Sequence, residues 1–461
     1  MSDDECVGCR DRTLPSGPML LTPDLVIASR ARYREPELPQ ATIDHALAAM
    51  MPRELAQYPV VVIAPTRDRG LEVLRGYAAE FAKRGHEVFW IVAAEAGRIP
   101  GGSLSSNIKI ARIADGAEND GSLGAIVDGL IRQVGLANGI VLTEEAVAPK
   151  DAARLRTEFD WRTVSGPDAG SSASDIRIGN DLAWDEQDAW PSRWASLDRA
   201  VRNSYERVSI IVLTMDNLAY NKLCLGSIFA NTEYPNYEVV IVDNGSSDGT
   251  REWLDEVARA YPGVRVIANA DNVGFGPGNN QGLAVATGSI FLLLNNDTMV
   301  PKGWMSRLVL AMHRHPEVGL MGPATNRTCN QAEVPVSYQT YAELQAFAAE
   351  RAKEYRGEVE PIRMLAMFCT AFRRSLYEEL GPLDEQYAVG MFEDEDYAMQ
   401  TRQAGHEIAW APEVFIHHAY HASIGKLIPT GDYMPLFRSN QLRFERKWGI
   451  CWERHRGVAS P

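Results

Sequence analysis

Four acidic residues stand side by side in Met391-Phe392-Glu393-Asp394-Glu395-Asp396-Tyr397. Carboxylates this close repel one another, which raises at least one pKa and can poise a base to take a proton from an alcohol. A solvated helix start, favoured by the helix dipole, is the plainer alternative. Asp394 is the candidate base. A second cluster, Asn295-Asn296-Asp297-Thr298, follows the apolar run Phe291-Leu292-Leu293-Leu294 and so delivers an acid at the mouth of a buried strand, where turn residues are common anyway. A hard divalent cation bridging two phosphates needs only one or two protein carboxylates, because phosphate oxygens and waters supply the rest; Asp297 alone would suffice. His417-His418 closes the run Val414-Phe415-Ile416. One histidine at a strand end is more often structural than a ligand, but neighbours on a strand point to opposite faces, so one can coordinate a metal while the other packs. Asp243-Asn244-Gly245-Ser246-Ser247-Asp248-Gly249-Thr250 reads first as a strand-to-helix turn capped by Asp248 or Ser247. Asp243, at the strand tip, can also accept hydrogen bonds from a nucleobase imide or a ribose hydroxyl.

Such scattered positions need a scaffold that gathers them. Val208-Ser209-Ile210-Ile211-Val212-Leu213-Thr214 is a continuous apolar strand of the kind buried on both faces of a parallel sheet. A helix over 218–231, strands over 238–242, 264–268 and 289–294, and a helix over 248–261 follow. Each strand ends in polar residues: Thr214, Asp243-Asn244, residues 269–272, and Asn295-Asn296-Asp297. Ligands of open α/β sheets bind outside the carboxyl ends of the strands, so these tips are predicted to share one crevice.

Upstream, strands over 58–64, 86–92 and 139–142 alternate with helices over 71–83, 124–134 and 149–159, the pattern of a smaller Rossmann-like α/β unit. Between 165 and 204 the apolar periodicity fades. That stretch reads as a linker whose later part packs on its neighbours, since Trp184, Trp190 and Trp194 are too many for a solvated tether. The expected organisation is a tail and lead-in (1–57), the Rossmann-like unit (58–164), the linker (165–204), a larger α/β domain (205–430), and a carboxy-terminal amphipathic helix and tail (431–461).

Composition agrees with two folded units: 461 residues exceed what one core usually organises, and 45% are apolar. A net charge of -15, from 61 acidic against 46 basic residues, disfavours a nucleic-acid partner. There is no apolar run of about eighteen residues, and Met1-Ser2-Asp3-Asp4-Glu5 lacks the features of a signal peptide, so a cytoplasmic protein is expected. Cys6 and Cys9 form a Cys-x-x-Cys without the second pair a structural zinc site needs; the other four cysteines are scattered and expected to be reduced thiols.

Taken in order, the motifs resemble the family 2 glycosyltransferases of the GT-A fold, over roughly residues 208–456. The resemblance rests on 208–214, 243–250, Asn272-Val273-Gly274-Phe275-Gly276 with Asn280-Gln281-Gly282, 294–298, Gly381-Pro382-Leu383-Asp384-Glu385, 390–397 and 415–423. It implies an inverting transfer from a nucleotide-diphosphate sugar to a glycan or lipid-linked glycan hydroxyl, as in the assembly of bacterial surface polysaccharide. Thr214 and Asp243 would hold base and ribose, with Asn272, Asn280 and Asn296 lining the donor pocket. Asp297, as the last acid of an Asp-x-Asp motif, would bind Mg2+ or Mn2+ together with His418, which stands five positions before Ser423. Asp394 would be the general base, and Glu393 a neighbour that orients the acceptor or tunes its pKa. The chain departs from the family pattern in Thr214-Met215-Asp216-Asn217, in Asn295 where a first Asp is common, and in Gln400 where an Arg is frequent.

The amino-terminal unit weakly resembles a GT-B amino-terminal lobe through 70–92 and 153–164, and reads as a non-catalytic accessory domain. The basic, aromatic stretch 437–448 reads as a core-packing helix, with peripheral attachment to the inner face of an anionic membrane as the alternative. A sugar nucleotidyltransferase would want a Gly-rich basic loop where Met215-Asp216-Asn217-Leu218 stands, and Gly274-Phe275-Gly276-Pro277-Gly278 has the wrong spacing for a dinucleotide fold. A non-catalytic glycan-binding scaffold would be expected to lack Asp243, Asp297 or Asp394, all of which are present.

Overall fold

The computed structural model describes residues 60–63, 78–79, 81–92, 108–112, 138–143, 149–165, 176–177, 190–387, 389–419 and 432–453. The Cys6-Cys9 pair, the helix expected at 124–134, Trp184 and Ser423 lie outside the described residues.

The first sheet comprises β1 (Val60–Ile63), β2 (Val88–Val92), β3 (Ile108–Arg112), β4 (Gly139–Thr143), β5 (Trp161–Ser165) and β6 (Ile176–Arg177). Its order is β3-β2-β1-β4-β5-β6, and each neighbouring pair is parallel. Helix α1 (Pro149–Phe159) crosses from β4 to β5, starting on a proline whose fixed φ suits a first helical position. Within the stretch expected to be a linker, β6 extends this sheet and α2 (Trp190–Asn203) forms a helix. Leu197 and Val201, one turn apart on α2, are buried with Tyr205 in a core that both sheets share. The Tyr205 hydroxyl lies 2.8 Å from the Gly139 carbonyl and 3.0 Å from that of Asp160, joining the two units.

The second sheet holds β7 (Val208–Thr214), β8 (Tyr237–Asp243), β9 (Val264–Ala268), β10 (Ile290–Asn295), β11 (Thr298–Met299), β12 (Val318–Thr325), β13 (Glu360–Pro361), β14 (Cys369–Arg373) and β15 (Glu407–His418). Its order is β11-β15-β12-β14-β10-β7-β8-β9, with β13 beside β15. The run β10-β7-β8-β9 is parallel, and β14 is antiparallel to both β10 and β12. Register pairs Thr214 with Asp243 and Leu213 with Asn295, so the polar tips stand side by side as expected.

Helices α3 (Leu218–Asn231), α4 (Thr250–Ala260) and α5 (Phe275–Val285) cover the parallel half. α5 lies close to β7 because Gly278 and Gly282, one turn apart, face it; an added Cβ would stand 2.5 Å from the side chains of Leu213 and Ile211 respectively. Then come α6 (Trp304–Arg314), α7 (Tyr341–Glu354), α8 (Arg374–Leu380), α9 (Glu393–Gln403) and α10 (Tyr433–Trp448). α10 buries Asn440 and Phe444 and packs an aromatic cluster of Phe392, Phe437, Trp448 and Trp452, so the core-packing reading of this basic stretch is the one observed.

Candidate active site

The two-residue strand β11 pairs antiparallel with the end of β15, Thr298 opposite His418 and Met299 opposite His417. That pairing brings Asp297, the residue before β11, against His418: Oδ1 stands 3.3 Å from Nε2, with both side chains more than nine-tenths buried. His418 Nδ1 is 3.1 Å from the Arg327 carbonyl, and its ring stacks on Phe368 at 4.8 Å. A carbonyl only accepts, so Nδ1 carries the proton and Nε2 turns its lone pair toward the Asp297 oxygen. Two acceptors face to face call for a positive charge between them, a proton or a metal ion. One oxygen and one nitrogen ligand suit a divalent cation that takes its remaining ligands from phosphate and water. Among the described residues no group of three or more His, Cys, Asp or Glu could hold such an ion alone. His417 points the other way, its Nδ1 2.8 Å from the Tyr338 hydroxyl, and burial pushes its pKa down to about 3, which keeps it neutral.

The residues expected to line the donor pocket are largely engaged with one another. The Thr214 hydroxyl donates to Asn221 Oδ1 at 2.6 Å, and Asn296 Nδ2 reaches the same oxygen at 2.7 Å and the Thr214 hydroxyl at 3.2 Å. Asn221 Nδ2 lies 2.9 Å from the Asp216 carbonyl and 3.1 Å from the Thr250 hydroxyl. The side chains of Thr214 and Asn296, both expected at the donor pocket, close a buried network. A buried polar group left unpaired costs about 1–3 kcal/mol, so they satisfy each other and fix the turn that carries Asp297.

Asn280 likewise clasps a neighbouring loop: Oδ1 accepts from the Leu383 amide and Nδ2 donates to the Leu383 carbonyl, each at 2.9 Å, with Glu385 Oε1 at 3.0 Å. The Asn280-Gln281-Gly282 segment thus anchors the Gly381-Pro382-Leu383-Asp384-Glu385 loop. Asp243 is fully buried, its Oδ2 3.0 Å from Arg251 Nε and its Oδ1 accepting from the Ser246 amide at 3.1 Å. Asn272 is exposed; its Oδ1 accepts from Asn244 Nδ2 and the Gly274 amide, and its Nδ2 lies 3.0 Å from Met215 Sδ. The departure at Met215-Asp216-Asn217 is a left-handed turn, φ 52° at Asp216 and 62° at Asn217, which Asp and Asn tolerate better than most residues. Asp216 Oδ1 accepts from the Ser247 amide at 2.7 Å, closing this turn onto the 243–250 loop.

The four acids at the start of α9 divide into different roles. Asp396 is buried and accepts from the Tyr387 hydroxyl at 3.1 Å, Trp448 Nε1 at 2.8 Å, Gln400 Nε2 at 2.7 Å and Lys447 Nζ at 2.9 Å. Gln400, one of the departures from the family resemblance, is thus spent on Asp396. Glu395 accepts from Trp452 Nε1 at 2.8 Å. Glu393 is buried, its Oε2 has no hydrogen-bond partner among the described residues, and burial followed by the Asp394 charge pushes its pKa up to about 8. Asp394 is half-buried, with Oδ1 accepting from the Glu395 amide at 2.8 Å. The Asp394 and Glu395 charges reach the Cys329 thiol, which stands two residues beyond the Arg327 carbonyl that orients His418. One loop after β12 therefore neighbours both the Asp297–His418 pair and the acidic helix.

Residues 209–381 match the family described as Glycosyl transferase family 2. The chain carries a family 2 glycosyltransferase domain. Curated relatives include the uncharacterized protein y4gI of Sinorhizobium fredii, 27% identical over 52% of this chain and 27% of that protein. The N-acetylglucosaminyl-diphospho-decaprenol L-rhamnosyltransferase of Mycobacterium tuberculosis is 26% identical over 43% of this chain and 72% of its own length. The O-antigen biosynthesis protein RfbC of Myxococcus xanthus is 26% identical over 58% of this chain and 22% of its own. The chain thus spans about a quarter of the length of y4gI and of RfbC.

The family match ends before α9, His418 and α10, which lie in the part of the chain that follows. Within the match, three site residues escape the sequence reading: Asn221, Arg251 and Asn326. Asn221 carries a readable signal, since it is an amide among the buried apolar residues of α3. Arg251, eight residues after Asp243, and Asn326, whose amide brackets the His418 backbone at 2.7 and 3.0 Å, sit in polar loops or helix starts that look ordinary in sequence.

Proposed function

We propose that the protein is an inverting glycosyltransferase that moves a sugar from a nucleotide-diphosphate donor to a hydroxyl of a glycan or lipid-linked glycan. The observation that carries the reading is the buried Asp297–His418 pair, two acceptors 3.3 Å apart at the carboxyl end of the sheet. Asp297 and His418 would hold Mg2+ or Mn2+, which when bound supplies positive charge to the leaving diphosphate. Asp394 is the general base: its carboxylate takes the acceptor proton while the acceptor oxygen attacks the anomeric carbon from the face opposite the nucleotide. A single displacement of that kind inverts the anomeric centre. Glu393, which keeps its proton at neutral pH, lowers the charge beside Asp394 and leaves a neutral carboxyl near the acceptor. The exposed Asn272 and the 243–250 loop border the donor side, and Thr214, Asn280 and Asn296 position it.

The lipid-linked acceptor is supported by the name of the mycobacterial relative, and a role in surface polysaccharide assembly by that of the myxobacterial one. None of the described helices is long and apolar enough to cross a membrane. A peripheral position at the inner face of the cell membrane is supported by the exposed face of α10, where Met434 and Leu442 alternate with Arg438 and Arg446. The unit over 58–164 acts as an accessory domain and that over 205–430 as the catalytic one.

The test is a panel of UDP-glucose, UDP-N-acetylglucosamine, GDP-mannose and dTDP-rhamnose with MnCl2 and the purified full chain. At least one should raise the melting temperature and be slowly hydrolysed in a Mn2+-dependent way. Stabilisation by none of them would overturn the reading.

A further inference from the structure

The acid helix α9 is entered through an unusual turn. Gly390, Met391 and Phe392 have φ of 150°, 76° and 79°, so two successive residues with side chains adopt the left-handed region immediately before Glu393. Each costs about 1–2 kcal/mol, and such strain persists only where the surroundings over-determine it. Here the surroundings are α10. Asn440, fully buried, points Nδ2 at three carbonyls of this turn: Tyr387 at 2.9 Å, Gly390 at 2.8 Å and Met391 at 3.1 Å. With two N–H bonds for three acceptors, one is shared, and Oδ1 is held in turn by Arg443 at 2.6 Å. The Phe392 ring packs among Phe437, Phe444 and Trp452.

The far side of the acid pair is clamped from the same helix. Lys447 Nζ bridges Asp384 at 2.6 Å and Asp396 at 2.9 Å, Trp448 adds a bond to Asp396, and Trp452 beyond the helix takes Glu395. Glu393 and Asp394 are therefore the two residues between a fixed turn and a fixed Glu395–Asp396 step.

We propose that α10, which lies beyond the family-matched segment, belongs to the catalytic apparatus, with Asn440 and Lys447 as positioning residues that aim the Asp394 carboxylate at the acceptor. The inference rests on the reading of Asp394 as the base. Neither Asn440 nor Lys447 touches substrate; each acts by holding the backbone and the neighbouring carboxylates of α9.

Asn440→Ala, Lys447→Met and the conservative Lys447→Arg are compared in the full chain, with whichever of the four nucleotide-sugars above the unsubstituted protein hydrolyses and with MnCl2. Misplacement of a reacting group by about 1 Å costs about 100-fold in rate. Asn440→Ala is expected to lose about that factor in kcat and Lys447→Met about a tenfold smaller one, with the nucleotide-sugar KM and the UDP–Mn2+ melting shift unchanged. Lys447→Arg should recover most of the rate. A kcat equal to that of the parent, measured well below each variant's melting temperature, would overturn the proposal; so would a rise in KM that accounts for the whole loss. Asp394→Asn, assayed alongside, separates the two ideas. Near-normal turnover there removes the base assignment, whereas its loss together with normal α10 variants removes only the positioning role.

Discussion

Asp243 and Glu393 are both carboxylates sunk beside the crevice, and their surroundings are opposite. Asp243 is met by the Arg251 guanidinium and a backbone amide, so its charge is answered where it sits. Glu393 has a buried oxygen without a hydrogen-bond partner among the described residues and Asp394 as its electrostatic neighbour, and its pKa rises to about 8. A buried charge met by a cation is architecture, while a buried carboxyl left without a partner, and so held protonated, is kept at a cost that function must justify. The same contrast divides the whole site. On the parallel half, Thr214, Asn221, Asn280 and Asn296 spend their polar atoms on each other or on loops; on the other half, Asp297 faces His418 across 3.3 Å, and the buried Glu393 and half-buried Asp394 open a clamped helix.

The sharpest way to break that contrast is to remove the facing pair. Asp297→Ala and His418→Ala should each lower turnover by about 100-fold or more and abolish the Mn2+-dependent part of UDP stabilisation, read as the melting shift of each variant against the same variant without ligand because truncating the buried His418 ring also costs stability. Preserved Mn2+ dependence in both would place the cation elsewhere. Next in size, Arg251→Met gives Asp243 the unanswered surroundings of Glu393. It should destabilise the fold by roughly 1–3 kcal/mol in denaturant unfolding, less than for a fully buried pair because Arg251 is partly exposed. An unchanged midpoint would mean that Asp243 is not held by its cation.

Glu393→Gln tests the other member. In the folded protein Glu393 keeps its proton up to about pH 8, whereas unfolded it releases it near 4.5. Its contribution to stability is thus fully present below 4.5 and is lost as pH rises toward 8. Glutamine does not titrate, so the variant should gain stability relative to the parent between pH 5 and 8, by an amount on the order of a few kcal/mol, and level off above. A pH-independent difference would show that burial is not what holds the proton. The smallest effect is expected of Asn280→Ala, about 1–2 kcal/mol of stability from the lost clasp on Leu383, with the metal dependence of turnover unchanged.

Much of the catalytic sheet is legible in sequence because its strands are continuous apolar runs: β7, α3 and β9 occupy the expected 208–214, 218–231 and 264–268. Their tips were legible as polar, but a hydroxyl or amide at a strand end reads the same whether it meets a ligand or a neighbour. Thr214 and Asn296, expected at the donor pocket, also share Asn221, a partner on a helix that the strand-end pattern does not indicate. The sequence prefers His418 to His417 by its spacing to Ser423 alone, and the strand pairing that sets His418 against Asp297, two residues of β11 against β15, carries no periodicity to detect. Within 165–204 the helix α2 does carry a signal, Trp190, Trp194, Leu197 and Val201 at helical spacing, but the Gly-, Ser- and Asp-rich residues before it make the whole stretch read as a linker. The acid tetrad is legible as a cluster, but which of its acids are tied down is not, since Asp396 and Glu395 are met by Lys447, Trp448 and Trp452, some fifty residues away.

The most direct measurement is the turnover of Asp394→Asn against the parent chain, with the nucleotide-sugar that the panel identifies, MnCl2 present, and UDP–Mn2+ stabilisation followed in the same samples. General-base catalysis contributes about 100- to 10,000-fold, so a loss in that range with the melting shift intact is the predicted result. Turnover within a few-fold of the parent, at the same nucleotide affinity, would contradict the account.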